Sequence, residues 1–189
     1  MITLTLPDGA TRQFDEPLTG IAFAESISKS LAKKALALKI NGEAVDLATV
    51  IDSDCEIAVL TASDEEGVDL MRHDCAHVLA EAVQELFPDT QVTIGPVIEN
   101  GFYYDFARET PFSLDDLEKI EARMRDIVDR DEEIIREVWN RDEAIAHFRD
   151  IGEIYKADII ASIPAGEDVS VYRQGDWKDL CRGPHLPST

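Results

Sequence analysis

Gly67-Val68-Asp69-Leu70-Met71-Arg72-His73-Asp74-Cys75-Ala76-His77-Val78-Leu79-Ala80-Glu81-Ala82-Val83-Gln84-Glu85-Leu86-Phe87-Pro88 reads as one long helix. Val68, Met71, Cys75, Val78, Leu79, Ala82, Leu86 and Phe87 recur near helical spacing. Pro88 stops the run, because a residue before proline is pushed out of the α region. His73 and His77 sit four positions apart on it, so both imidazoles leave one face, one turn apart. The acidic run Asp64-Glu65-Glu66 just upstream suits the positive end of a helix dipole.

Upstream of this helix the pattern changes. Ile2, Leu4 and Leu6 alternate with threonines, as in a half-buried strand, and Pro7-Asp8-Gly9 turns the chain back into Thr11–Phe14. Thr19 is placed to cap a helix over about Ile21–Lys34. Ala35–Ile40 and Cys55–Leu60 read as strands, and Asn41-Gly42 is a hairpin turn. Such an order suits one helix packed across a small sheet. The polar run Ala62–Gly67 divides this segment from the rest, which sets the expected domains at 1–62 and 63–189.

Downstream, Gln91–Ile94 and Gly101–Phe106 read as strands about the hairpin signal Asn100-Gly101. Ser113, with Asp116 three residues on, starts an amphipathic helix bearing Leu114, Leu117, Ile120, Met124 and Ile127. Ile134–Trp139 and Val169–Arg173 read as strands, with short helices at Arg141–Asp150 and Glu153–Ser162 between them. The whole is an α+β chain.

Charge narrows the function. The chain carries 18 Lys+Arg against 39 Asp+Glu, net −21. Only nine acids and five bases lie in 1–62, so most of the excess falls in the second segment. Such a surface repels phosphate and excludes a general nucleic-acid binder or a basic membrane-surface helix. No apolar run approaches the roughly 20 residues that span a bilayer. Three scattered cysteines do not make a disulfide scaffold, and no secretory signal is visible, so the expected location is the cytoplasm.

His73-x-x-x-His77 and Cys181-x-x-x-His185 gather three of the four histidines and one cysteine into two pairs of equal spacing. The zinc-protease version of the first pair requires Glu directly after the first histidine, where this chain has Asp74. The His₃Cys set has zinc-ligand chemistry and equally offers proton-transfer groups and a thiol for hydrolysis. His147 reads as a surface histidine, and Cys75 and Cys55 as small core residues. In Phe102-Tyr103-Tyr104 one tyrosine is expected in the core and one at a pocket, and Lys156 by base rate is solvated.

Three blocks carry a resemblance: His73–Ala80, Ile94–Phe106 and Asp179-Leu180-Cys181-Arg182-Gly183-Pro184-His185. In sequence, order and separation they resemble the N-terminal editing region of bacterial threonyl-tRNA synthetases. Residues 1–62 resemble the TGS domain that precedes it, a ubiquitin-like β-grasp module. The resemblance implies an α+β editing domain over 63–189, with a long helix on an antiparallel sheet and its C-terminal end truncated. It implies hydrolysis of mischarged seryl-tRNA(Thr) to serine and tRNA. It carries over His73, His77, Cys181, His185, Lys156 and Asp179 as catalytic residues, and Tyr104 and Tyr172 as substrate-binding ones.

The implied partner is the 3′ aminoacyl end of tRNA(Thr), with weak binding of whole tRNA, no membrane, a monomeric fragment and a homodimeric full enzyme. ATP, magnesium and zinc are expected only in a catalytic core absent from this chain. The alanyl relatives bind zinc at the His73/His77/Cys181/His185 constellation, but the threonyl site is described as working without it, so the expectation is no metal. Substituting His73 or Lys156 is expected to affect activity far more than stability. The competing readings are a non-catalytic interaction module, with the β-grasp half docking a partner, and a freestanding trans-editing deacylase.

Overall fold

The computed structural model describes all of residues 1–189 and divides into two compact units. The first comprises Met1–Met71 with Gly183–Pro187, and the second Arg72–Arg182 with Ser188–Thr189.

In the first unit, β1 (Ile2–Thr5) pairs antiparallel with β2 (Thr11–Phe14), Ile2 opposite Phe14. The alternation of β1 places Ile2 and Leu4 in the core. β3 (Leu18–Thr19) leads into α1 (Gly20–Ile27), capped by Thr19, whose Oγ1 accepts from Ala22 N–H. Gly20 is required there: a Cβ would stand 2.4 Å from Leu38 Cδ1 and 2.8 Å from the Leu47 carbonyl. The helix expected to reach Lys34 breaks at Ser28, which is extended and uses its own hydroxyl to cap α2 (Lys29–Ala32). The serine competes for backbone donors and so ends one helix by starting another.

β4 (Ala35–Ile40) turns through Asn41 and Gly42, both at positive φ, into β5 (Glu43–Val45). β6 (Val50–Ile51) pairs with β3, and β7 (Cys55–Thr61) closes the unit's sheet. The strand order is β2-β1-β7-β4-β5, with β1 and β7 parallel. Phe23 and Ala24 of α1 bury against Leu4, Leu38, Leu47, Ile51 and Ile57, a core in which each large side chain contributes about 1.5–3 kcal/mol.

The helix expected over 67–87 runs from Glu65 to Leu86 and is α3. Its residues from Arg72 onward belong to the second unit. β8 (Gln91–Val92), β9 (Val97–Ile98), β10 (Gly101–Phe102) and β11 (Phe106–Ala107) follow. The expected hairpin is present but split into two short ladders, β9 with β10 and β8 with β11. α4 (Leu114–Arg130) opens on a capping box, with Ser113 and Asp116 satisfying each other's backbone donors.

β12 (Ile134–Asn140), α5 (Arg141–Asp150), α6 (Ile154–Ala161), β13 (Asp168–Gln174) and β14 (Trp177–Leu180) complete the unit. β12, β13 and β14 form an antiparallel sheet with β13 in the centre. Phe148, Ala157 and Ile160 of α5 and α6 pack with Val169 and Val171 of β13. Val78, Ala82 and Val83 of α3 pack with Ile120 and Ile127 of α4.

Candidate functional site

The polar stripe of α3 meets the sheet. His73, His77, Glu81 and Gln84 lie at helical spacing on one side of the helix, and each finds a partner from β13, β14 or the residue after β14. His73 Nε2 is 3.1 Å from Cys181 Sγ, and His77 Nδ1 is 3.2 Å from Asp179 Oδ2. Glu81 accepts from Gln174 Nε2, and Gln84 Oε1 accepts from Trp177 Nε1–H at 2.7 Å. The long helix is therefore seated on the sheet by polar pairs on one face and by the apolar α4 contact on another.

Asp179 is the hub. The residue is 1% exposed, and its carboxylate lies among three donors. Tyr104 Oη donates to Oδ2 at 3.0 Å, His77 Nδ1 faces the same oxygen, and Lys156 Nζ is 2.5 Å from Oδ1. Burial by itself would raise the Asp179 pKa, but the Lys156 charge and the His77 contact overcome it and hold the carboxyl well below its ordinary value. Burial would lower the His77 pKa, but Asp179 and Cys181 reverse this and raise it. Burial, then the Asp179 charge, lift the Tyr104 phenol far above its ordinary value, so it stays a donor.

Lys156 is not solvated. It is 2% exposed, and its ammonium donates to the Thr93 carbonyl at 2.8 Å as well as meeting Asp179. Helical spacing put its side chain on the buried face of α6 beside Ala157 and Ile160. His73 and Cys181 are half-buried, whereas Asp179, Lys156 and His77 are buried. The rings of His73 and His77 meet edge-on at 4.8 Å, and Trp177 meets His77 edge-on at 5.9 Å.

Tyr172 is buried on β13 directly opposite Asp179 of β14, which puts both side chains on one face of the sheet. Tyr104 is the tyrosine that reaches the hub, while Tyr103 is exposed. His185 lies in Gly183–Pro187, grouped with the first unit, with its ring buried and its backbone N–H donating to Asp46 at 2.8 Å. Cys75, expected in the core, is exposed, because the stripe of His73 and His77 turns position 75 outward. Cys55 is partly buried against the first unit's core. His147 packs on Trp139 instead of standing free on the surface.

Sequence reasoning missed four contributors. Trp177 and Gln84 were hidden because β14 was not read as a strand, although Gly175-Asp176 between Gln174 and Trp177 is a hairpin signal. Glu153 looked like an ordinary helix start. Gly95 lies against the Tyr104 ring, where a Cβ would stand 2.2 Å from Cδ2, so only glycine leaves that ring its place.

The donor set suits zinc in kind. The ligand atoms of His73, His77 and Cys181 lie within 4.8 Å of one another. The other nitrogen of His77 faces a carboxylate, as the histidines of metal sites usually do. The same groups are a proton-transfer pair backed by a buried charge network.

Residues 2–61 match the TGS domain family, and residues 169–189 match the family described as the threonyl and alanyl tRNA synthetase second additional domain. The description of the second family names threonyl and alanyl tRNA synthetases. The chain is 71% identical over 189 residues to the threonine–tRNA ligase of Parvibaculum lavamentivorans, covering all of this chain and 29% of that protein. It is 63% identical over 190 residues to that of Paramagnetospirillum magneticum and 61% over 189 to that of Pelagibacter ubique, covering all of this chain and 30% of each. The resemblance to threonyl-tRNA synthetases thus holds along the entire chain, and the chain spans about three-tenths of the length of these relatives. No helix is long and apolar enough to cross a membrane.

Proposed function

We propose that the second unit is an editing deacylase that hydrolyses the seryl ester on the 3′ end of tRNA(Thr). The observation that carries this reading is the buried Asp179, which orients His77 and Lys156 behind the half-buried His73–Cys181 pair. That is the layout of a hydrolytic site: proton-transfer groups at the opening, with their orientation fixed from behind.

In the reaction, water adds to the ester carbonyl and gives its proton to His73. The developing oxyanion accepts from His77, which Asp179 keeps in its donor form. Collapse of the tetrahedral intermediate releases the ribose oxygen, which takes the proton back from His73. Lys156 and Tyr104 hold Asp179, and Tyr172 shapes the wall beside it. His185 is assigned to the same chemistry on the sequence resemblance alone. Zinc held by His73, His77 and Cys181 would supply Lewis-acid polarisation of the carbonyl; the steps above use none.

The need for such a site is physical. A synthetic site that binds threonine discriminates against serine, smaller by a methyl, by only ~1–3 kcal/mol, so accuracy requires a second pocket that excludes the methyl. With net charge −21 the chain binds the aminoacyl terminus and holds whole tRNA weakly. The test is release of serine from seryl-tRNA(Thr) by the chain. Seryl-tRNA should be hydrolysed faster than threonyl-tRNA, and equal rates would exclude editing.

A further inference from the structure

Asp179 is not the only residue that sets Lys156. Three successive residues at β8 are bonded by α6 and the residue before it. Gln91 Oε1 accepts from Ile154 N–H at 3.0 Å, Glu153 Oε2 accepts from Val92 N–H at 3.1 Å, and the Thr93 carbonyl accepts from Lys156 at 2.8 Å. Glu153 occupies the N-cap of α6 yet makes no capping bond. Serine, threonine, aspartate or asparagine would serve a cap better. The glutamate turns its carboxylate away from its own helix to bridge β8 and α3 instead.

The bridge has a direction. An indole N–H can only donate, so Trp177 fixes Gln84 with its oxygen toward Trp177 and its amide hydrogens toward Glu153, whose Oε1 accepts them. Val92 N–H can also only donate. Position 153 thus faces donors on two sides and requires two acceptors. A carboxylate supplies them; a carboxamide supplies one and turns its other end, a donor, on a donor. Glu153 is 6% exposed; burial pushes its carboxyl up, and the Val92 N–H, the Lys156 charge and the Gln84 amide pull it back.

We propose that Glu153, with Gln84 and Trp177, is a positioning residue of the hydrolytic site, fixing α6 on Gln91–Thr93 so that the Lys156 ammonium meets Asp179. The proposal rests on the deacylase reading above. Glu153 touches no reacting atom in that reading. Its effect is geometric, and misplacement by about an ångström is enough to cost up to ~100-fold in rate.

The test is E153Q in the 189-residue chain. The kcat for serine release should fall about tenfold with KM changed less than about twofold, since orientation and not binding is lost. W177F should rescue it. Without the indole donor, Gln84 can turn its amide and offer its oxygen to Gln at 153, giving up only the 3.3 Å bond from its Nε2 to the Thr90 carbonyl, so the E153Q/W177F variant should recover part of the loss and turn over faster than E153Q. A merely structural contribution predicts the opposite, two losses that add. An independent readout is the NMR signal of the Lys156 ammonium, which E153Q should shift.

Unchanged kcat and unchanged Lys156 signal in E153Q, or a double variant no faster than E153Q, overturns the proposal. If the unmodified chain releases no serine, the deacylase reading fails, and the Lys156 signal alone decides the positioning. If E153Q does not fold, Q84M removes the middle link and is read by the same two measurements.

Discussion

The Lys156 ammonium and the Asp179 carboxylate lie 2.5 Å apart, with 3% and 2% of their side chains exposed. One buried charge from α6 answers one from β14, and His77 of α3 and Tyr104 of the loop after β10 bind the same carboxylate. A site drawn from four separate parts of the unit is therefore tied at one atom group. The pair's mutual attraction offsets desolvation, so its value lies in keeping both members together.

Removing one member strands the other. Lys156→Met and Asp179→Leu should each lower unfolding stability by about 3–5 kcal/mol, measured by denaturant titration. The double variant should be less destabilised than either single, because neither charge of the pair is left without the other. This reverses the sequence expectation for Lys156, which took the side chain as partly exposed. Single losses below about 1 kcal/mol would match an exposed pair and contradict the burial seen here.

Glu81 gives a pH dependence. Burial lifts its carboxyl from 4.5 to about 7, with Gln174 and Arg130 pulling back and Glu85 and Glu132 adding to the rise. The folded state holds this proton more tightly than the unfolded chain. Its stabilising contribution is therefore complete below about pH 4.5 and is lost as pH rises through about 7, on the order of 3 kcal/mol in all. Glu81→Gln cannot titrate. The stability difference between Glu81→Gln and the parent should shift in favour of the variant from pH 4.5 to 8, and a difference flat across that range would sink the assignment.

Local signals in the sequence carried most of the fold. The strand alternation of Ile2 and Leu4, the Asn41-Gly42 turn and the length of α3 each rest on contacts within a few residues, and each appears in the structure. The spacing of His73 and His77 was equally local. What the sequence did not display is long-range. Lys156 and Asp179 are 23 positions apart and meet only after α6 and β14 have packed. Glu153, Gln84 and Trp177 carry no motif, and their pairing follows from which helix face meets which strand. The break at Ser28 was hidden by apolar positions on both sides that kept helical spacing.

The start of α4 was readable and can be checked alone. Ser113 Oγ accepts from Asp116 N–H at 3.2 Å, and the Asp116 carboxylate accepts from Ser113 N–H at 3.0 Å. Ser113→Ala removes one half of this exchange and should cost about 1 kcal/mol. Serine release should be unaffected, since the side chains of Ser113 and Asp116 bond each other and Lys119, none of them assigned to the site. A loss of activity at unchanged stability would mean that α4 takes part in the site.

His73 separates chemistry from packing. It is half-buried, and its Nε2 stands 3.1 Å from Cys181 Sγ. Removing it takes away the base that accepts the proton of the attacking water, so His73→Ala should slow serine release by ~10²–10⁴-fold, the usual contribution of a general base. Stability should move by less than about 1 kcal/mol, in contrast to the Lys156 and Asp179 variants. Measured together, the two readouts should place His73 among activity-only losses and Lys156 among losses of both. A chelator should leave the parent rate unchanged if His73 acts as the base; a rate abolished by chelator and restored by zinc would make His73 a ligand instead. Full activity in His73→Ala would remove the base from the mechanism, and with it the editing reaction as written.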